Sequence, residues 1–509
     1  MISTDRIAVF HYHLLPGGVT NVIFLSLKAL IHHHADLREI RLVTGSASNA
    51  GKVADRLREE VLAAGRDIPI VISVVPEIGY TTPEEAEILD RRDLKARLLT
   101  EFGGYLWWIH NYHLGKNPVF TAALIEAAEE TPSQRILFHI HDFPEDGRYS
   151  NLSFLKAFAG KDIYPVLPNV RYAVINTRDH GVLSAAGLPE ECLFLLNNPV
   201  ELCALPETDP SAVRSSLSGT FAGEFPAFDP DKPLWLYPVR TIRRKNVLEA
   251  ALICSVAGSN LLLTLPGVSK QERPYSDLVE TLYREGIIPG MWGVGGRLHE
   301  AGVDFISLAL SSDAIISSSV QEGFGYLYAD AVRWKRPLAA RNLEILDGIR
   351  DLFTGHPAVF YERLEVPLEP RDLRELKRRY TRHSTLTGRK EDLALFLGNL
   401  SGSTADFASL HVELQVEMLK RSESDCFRAS LRELNESLFT RIGSLHETRS
   451  GSDPGIFRRF GAEAFSRTFE GIIETYGQTP GGHDQGFIRQ ETLVDLFARS
   501  NIRHLLYDF

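Results

Sequence analysis

Over the first 360 residues, short apolar runs alternate with helix-length amphipathic segments, and this alternation restricts the chain to few folds. Residues 7–10, 40–44, 68–75, 105–110, 136–140 and 172–175 are dense in Val, Ile, Leu and aromatic side chains. They lack the in–out alternation of a strand with one wet face, so they are expected to be buried on both faces in a parallel sheet. Between them, residues 21–31, 50–64 and 120–130 carry apolar side chains at helical spacing. Strands covered on both faces by helices make a doubly wound α/β unit. A second series of the same kind runs through 234–239, 261–265, 314–317, 338–340 and 359–361.

The segments between and beyond these series set the expected domain limits. Residues 205–233 are rich in Pro, Gly, Ser and Asp with little apolar periodicity, which predicts an interdomain connection or a long surface loop. From about 369 onward the chain turns helical, with helices expected at 372–380, 391–400 and 410–420 and a polar loop at 447–454. The expected organisation is an N-terminal domain over 1–204, a connection over 205–233, a second α/β domain over 234–368, and a mostly helical region over 369–509. That last region is a candidate to pack back on the N-terminal domain. No internal repeat or long low-complexity tract interrupts this order.

Composition narrows the function classes. With 44% hydrophobic and 24% charged residues the chain has the balance of an ordinary globular protein. A formal net charge of −11 argues against general affinity for nucleic acid or anionic membrane, although a local basic patch can still hold a phosphate. The opening residues lack the basic and apolar regions of a secretory leader, and no run is long enough for a membrane span, so no stable membrane anchor is expected. Cys192, Cys203, Cys254 and Cys426 show no paired metal-ligand spacing, which fits a reducing, cytoplasmic setting.

Three segments carry the chemistry. The first is Gly17-Gly18, between the opening strand and its helix, where the backbone can approach a ligand and a helix N-terminus faces it. A tight turn without a ligand fits the same residues. The second runs from Arg240 to Asn246 at the carboxyl end of a strand, where Arg240 and Lys245 can clamp a diphosphate. A solvated basic run is its plain alternative. The third is Ser317-Ser318-Ser319-Val320-Gln321-Glu322-Gly323-Phe324-Gly325-Tyr326, continuing through a helix to Asp330. Glu322 and Asp330, eight residues apart, can address one ligand at two depths, or be no more than a loop acid and a helix-surface acid.

In this order and at these spacings, the three segments resemble the retaining GT-B glycosyltransferases, in particular family 4 (glycosyl transferases group 1). That family has an Arg and a Lys five apart, followed by a Glu-x7-Glu motif in an EGFG context. Here Arg240 and Lys245 have that spacing, and Glu322-Gly323-Phe324-Gly325 is followed by an acid at the second motif position. The resemblance covers roughly residues 1–360. It implies two Rossmann-like domains facing across a cleft, with a helical C-terminal extension. It also implies transfer of a hexose from a UDP- or GDP-linked donor, with retention, to a small-molecule or glycan acceptor. By position, Gly17 and Gly18 would approach the donor diphosphate, and Arg240 and Lys245 would neutralise it. Glu322 would hold sugar hydroxyls, Gly323, Phe324, Gly325 and Tyr326 would line the phosphate, and Asp330 would bind the ribose. Asp330 departs from the family's usual Glu by one methylene, and Tyr326-Leu327-Tyr328 from its small apolar continuation.

The acceptor side is expected in the N-terminal domain. His141 resembles the family's strand-end histidine near the transferred sugar. His110, His113, Lys116, Asn117, Asp142 and Arg148 are acceptor-side candidates, and Arg148 suits a carboxylate or phosphate. Satisfied structural histidines are the alternative. No cofactor or metal is expected, because no Asp-x-Asp pair stands where a cation-held donor would need it. The run His32-His33-His34 is expected at the surface, Gly293–Gly296 as a loop, and Trp107 and Trp108 as core and cleft wall. Other functions open to such a chain are a nucleotide-sugar epimerase or hydrolase and a non-catalytic sugar-nucleotide binder.

Overall fold

The computed structural model describes residues 5–160, 162–201, 205–387, 402–445, 458–477 and 486–497. The helix expected at 391–400 and the loop expected at 447–454 lie outside these residues. The chain divides into two compact units: the described residues up to 201 with those from 458 to 497, and the described residues from 205 to 445.

In the first unit, β1 (Arg6–His11), β2 (Glu39–Thr44), β3 (Ile70–Val74), β4 (Leu106–His110) and β5 (Ile136–Ile140) form where the apolar runs predict them. β6 (Tyr164–Val166), β7 (Val170–Val174) and β8 (Leu193–Leu195) follow. Seven of these make one parallel sheet in the order β3-β2-β1-β4-β5-β7-β8. Every residue of β4 and β5 is buried, as a strand covered on both faces requires. Adjacent residues therefore serve opposite faces. Trp107 joins the core with Phe10, Tyr112 and Phe138, whereas Trp108 joins the core under the Gly18–His33 helix. Both tryptophans are fully buried core residues.

The second unit repeats the plan with β9 (Leu234–Arg240), β10 (Asn260–Leu265), β11 (Gly290–Trp292), β12 (Ala314–Ser317), β13 (Leu338–Arg341) and β14 (Ala358–Tyr361). They form a six-stranded parallel sheet in the order β11-β10-β9-β12-β13-β14. Both sheets are doubly wound, with the strand order reversing beside β1 and β9 respectively. Two short antiparallel pairs are added. β15 (Glu365–Pro367) meets β16 (Thr404–Asp406), and β17 (Gly486–Ile488) meets β6.

The structure corrects three local expectations. Residues 205–233 are not simply a loop, because Pro210–Phe221 is a helix. Asp209 caps it by accepting the amides of Ser211 and Ala212, Pro210 supplies the preset first turn, and Val213, Leu217 and Phe221 bury one face. The cap and three apolar residues at i, i+4 and i+8 outweigh a loop-like composition. Residues Val294–Ala301, expected as a loop, form a 3-10 helix after Gly293. In the histidine run, His34 is buried against Phe469 and bonds Glu470 at 2.8 Å, whereas His33 is exposed. The helix Ala462–Glu474, which carries both partners, lies along the Gly18–His33 helix. The helices of Pro370–Thr387, Val412–Arg421, Asp425–Leu434 and Glu436–Gly443 belong to the second unit. Among the described residues no helix is long and apolar enough to cross a membrane.

Candidate functional site

β9 and β12 are parallel neighbours, so the loops leaving their carboxyl ends emerge side by side. After β9 comes a 3-10 turn, Arg243–Lys245, and then Asn246, whose φ of 48° is left-handed. After β12 come Ser318 and Ser319, and then the turn that opens the helix Tyr326–Arg333. The two loops are stitched carbonyl by carbonyl. The Arg244 carbonyl accepts from Ser319 Oγ (3.2 Å) and the Val320 amide (3.0 Å). The Lys245 carbonyl accepts from Tyr237 Oη (2.9 Å) and Ser318 Oγ (3.2 Å), and the Asn246 carbonyl accepts from Ser318 Oγ (2.8 Å). A backbone satisfied at three successive carbonyls leaves the side chains between them little freedom.

Those side chains meet. Lys245 Nζ donates to Glu322 Oε1 at 2.5 Å, and the Arg244 guanidinium stands 3.9 Å from the other Glu322 oxygen. Burial pushes the Lys245 ammonium down to about 8, against the opposing pull of Glu322 and with the like charge of Arg244 adding to it. Burial would raise the Glu322 carboxyl, but the Lys245 and Arg244 charges outweigh it and hold the group below its usual value. Gly325 has a φ of 80° and would place a Cβ 2.5 Å from the Tyr328 ring, so this helix start requires glycine. Phe324 is buried, with its ring 4.9 Å edge-on to Tyr326.

The other two predicted charges are engaged elsewhere. Arg240 is half exposed and grips Glu272 at 3.0 and 3.3 Å, while Glu272 also accepts the amides of Val268 and Ser269. Asp330 pairs with Arg333 at 2.8 Å, one helical turn on. Burial pushes the Asp330 carboxyl up to about 6 despite that partner.

The carboxyl edge of the first unit is lined with histidines. His11 ends β1, His110 ends β4, His139 lies beside His110 in β5, and His141 follows β5. His110 Nδ1 and His141 Nε2 share a hydrogen bond of 2.8 Å, and Trp108 Nε1 donates to His139 Nδ1 at 3.3 Å. Asn111, itself left-handed at φ 55°, accepts the His141 amide at 2.7 Å and so fixes the start of that loop. Burial lowers all four imidazoles, His11 to about 3 and His141 to about 4, with Asp142 opposing in the latter case. They are neutral hydrogen-bonding groups at ordinary pH. His110, His139 and His141 offer ring nitrogens within 4.8 Å of one another, a spacing a metal could exploit after rearrangement. Three of those nitrogens already have partners within the protein.

The remaining candidates separate into two groups. Asn117 has its side chain engaged within the protein. Its carbonyl oxygen caps the Pro118–Glu130 helix through the Phe120 amide, and its nitrogen donates to the carbonyls of Glu77 and Gly79, each at 2.7 Å. His113 is fully buried, and burial lowers its pKa to about 3 against the opposing pull of Asp142. Lys116 and Arg148 are partly exposed cations. Arg148 meets Asp142 at 3.1 Å, Lys116 stands 5.5 Å from the Tyr80 ring, and burial with the like charge of Arg148 lowers the Lys116 pKa. Gly17 and Gly18 are exposed at the start of their helix. A Cβ at Gly18 would meet nothing within 4 Å, and one at Gly17 only the Leu15 carbonyl at 3.9 Å, so the space beside them is open.

Sequence reasoning passed over Glu272, Arg244 and His139. His139 was legible, since it stands two residues before His141 and so shares its strand face.

Two doubly wound parallel sheets in one chain make an α/β fold of the GT-B class, with an ion-paired lysine and glutamate at the carboxyl edge of the second sheet. No family model matches the chain. The chain belongs to the glycosyltransferase family of mannosylglucosyl-3-phosphoglycerate synthase. The Petrotoga mobilis protein of that name is 30% identical over 512 residues, spanning 96% of each chain. Among solved structures, Anabaena HepE in complex with UDP and glucose aligns over 92% of this chain and 99% of its own, at 14% identity and a TM-score of 0.49. Sucrose-phosphate synthase from Thermosynechococcus elongatus aligns over 87% and 98%, at 14% identity and a TM-score of 0.44.

Proposed function

We propose that this chain is a retaining, family 4 hexosyltransferase that moves a sugar from a UDP- or GDP-linked donor to a phosphorylated glycosyl-glycerate acceptor. The observation that carries the reading is the part-buried Lys245–Glu322 pair, held by the serine ladder at the edge where a doubly wound sheet receives ligands. Departure of a nucleoside diphosphate places negative charge on its phosphate oxygens. Lys245, and Arg240 once turned from Glu272, meet that charge with fixed cations, so donor cleavage needs no metal ion. Glu322 accepts hydroxyl hydrogens of the sugar while Lys245 keeps it ionised, and His141 is a neutral hydrogen-bonding group at the sheet edge of the first unit. Asp330 remains the ribose ligand, its carboxylate freed from Arg333 or shared with it.

Retention follows a same-face exchange. The bond from the anomeric carbon to the phosphate oxygen breaks, and a bond to the acceptor oxygen forms on the same side. The acceptor's proton passes to the departing phosphate oxygen. The Petrotoga relative's name specifies a product with mannosyl, glucosyl and 3-phosphoglycerate parts. An acceptor with a phosphate and a carboxylate suits Lys116 and Arg148, two like charges near one another of which Arg148 is paired with Asp142.

The test is to incubate the protein with GDP-mannose or UDP-glucose and glucosyl-3-phosphoglycerate, following the products by mass and their anomeric carbon by NMR. The expected result is an acceptor heavier by one hexosyl residue, with the donor's anomeric configuration kept. Donor hydrolysis or epimerisation without acceptor, or no conversion, would contradict the proposal.

A further inference from the structure

The helical segment after β16 reaches the donor site through one residue. Gln415 lies on the helix Val412–Arg421 and is fully buried. Its oxygen accepts from Arg243 Nη1 at 3.0 Å, and its nitrogen donates to Asn246 Oδ1 at 3.2 Å and to the Phe407 carbonyl at 3.0 Å. One acceptor and two donors are thus all in use, and two of the three partners flank Arg244-Lys245. We propose that Gln415 is a positioning residue for Lys245, and that the segment from β16 to this helix is the strut that holds the donor clamp. The inference rests on the donor-site reading given above.

The contacts close a ring. Asn246 Nδ2 donates to Glu249 Oε2 at 2.8 Å. Glu249 in turn accepts from the Arg341 guanidinium at 2.6 and 3.1 Å and from Tyr361 Oη at 2.8 Å. Arg341 turns its other edge to Asp406 at 2.8 and 2.9 Å. Asp406 ends β16, next to Phe407, whose carbonyl Gln415 holds. The path Asp406–Arg341–Glu249–Asn246–Gln415–Phe407 therefore runs from the strut to the clamp and back, through buried side chains at every step. Its directions are mutually fixed. Because a carboxylate takes the Asn246 nitrogen, Asn246 must present its oxygen, and Gln415 must then present its nitrogen there and its oxygen to Arg243.

The local backbone needs such a hold. Asn246 sits at φ 48° and ψ 43°, a left-handed conformation that asparagine tolerates better than other residues with a Cβ but that still costs free energy relative to the right-handed form. The serine ladder holds the carbonyls of this turn, and Gln415 holds the side chains on both sides of Lys245. Without Gln415, Arg243 loses a partner and the Asn246 oxygen is left buried and unpaired, so the turn relaxes toward an ordinary conformation. A displacement well under an ångström at Lys245 is enough to loosen a clamp on a diphosphate.

The test is a double-mutant cycle between Gln415→Met, which keeps the volume and removes the polar atoms, and Lys245→Met. It is read by turnover and by calorimetric binding of GDP and UDP to the full chain. The expected result is that Gln415→Met alone weakens nucleotide binding and turnover by about tenfold, but by under about twofold in the Lys245→Met background. Gln415→Glu, the isosteric change that keeps the Arg243 contact and turns a carboxylate on the Asn246 oxygen, should weaken binding in the same way. That variant decides the matter if Gln415→Met does not fold. Equal losses in both backgrounds, or a lowered melting temperature with unchanged nucleotide binding, would overturn the inference. Unchanged binding and turnover in Lys245→Met alone would overturn the donor-site reading first, and that outcome is visible before Gln415 is altered.

Discussion

The two units present the same sheet edge with opposite chemistry. At the first, four buried imidazoles stand together, and burial drives them all neutral because the neighbours of each are mostly other histidines. At the second, a largely buried glutamate stays ionised because Lys245 and Arg244 face it. Burial alone removes charge, whereas burial with an opposite partner keeps it and makes it stronger than in water. The first edge is therefore suited to orienting hydroxyls, and the second to meeting a leaving anion.

The largest expected effect breaks the pair. Glu322→Ala leaves the Lys245 ammonium largely buried without its partner, which should cost about 3 kcal/mol in urea unfolding and about a thousandfold in turnover. His141→Ala should cost less in both, on the order of a hundredfold in turnover and about 1 to 2 kcal/mol in stability, since it removes a neutral hydrogen bond and leaves His110 Nδ1 unpaired. Equal losses of stability at the two edges would break the contrast.

A second prediction concerns a third kind of site, Glu145. It is fully buried between Tyr164 Oη and Gln490 Nε2, each at 2.9 Å, and burial pushes it up to about 7 against those hydrogen bonds and the pull of Lys156. A carboxyl with a raised folded pKa binds more protons folded than unfolded between pH 4.5 and about 7, so its contribution falls as pH rises through that window. Relative to wild type, Glu145→Gln should gain up to about 3 kcal/mol of stability on going from pH 4.5 to pH 8. Parallel stability–pH curves for the two proteins would contradict this.

The pH dependence of transfer sharpens the comparison further. Lys245 loses its proton near pH 8 in the folded chain, so donor binding should weaken about tenfold per unit above that pH. The same depressed pKa means that this group's contribution to stability rises from about 8 toward 10.5, opposite in sign to its effect on binding. Lys245→Arg, which stays charged, should remove the alkaline limb. The smallest expected effect is at Arg148. Its replacement by Ala should raise KM by about tenfold for a phosphorylated acceptor and leave a dephosphorylated one unchanged. Equal changes for both acceptors would remove its anion-reading role.

Much of the fold was legible because long buried strands advertise themselves: β12 and β13 emerge from runs such as Ala314-Ile315-Ile316 and Leu338-Ala339-Ala340. Three-residue strands such as β6 and β8 carry too few side chains to show a period and were not predicted. The Pro210–Phe221 helix was missed because its loop-like composition hid a cap and an apolar stripe that were both present. At the site, the resemblance to the family motif marked Lys245 and Glu322, since that motif is a local property of each loop. Which charges touch was beyond it. Arg240 with Glu272 and Asp330 with Arg333 depend on how neighbouring loops and turns settle. Gln415 stands 169 residues from Asn246, and no local pattern connects them.

The most direct test of the account is calorimetric titration of GDP and UDP into the wild-type chain and into Lys245→Ala. Saturable binding of at least one nucleotide to the wild type is expected, weakened tenfold or more in the variant. Equal affinity in the two proteins, or no binding of either nucleotide to the wild type, would contradict it.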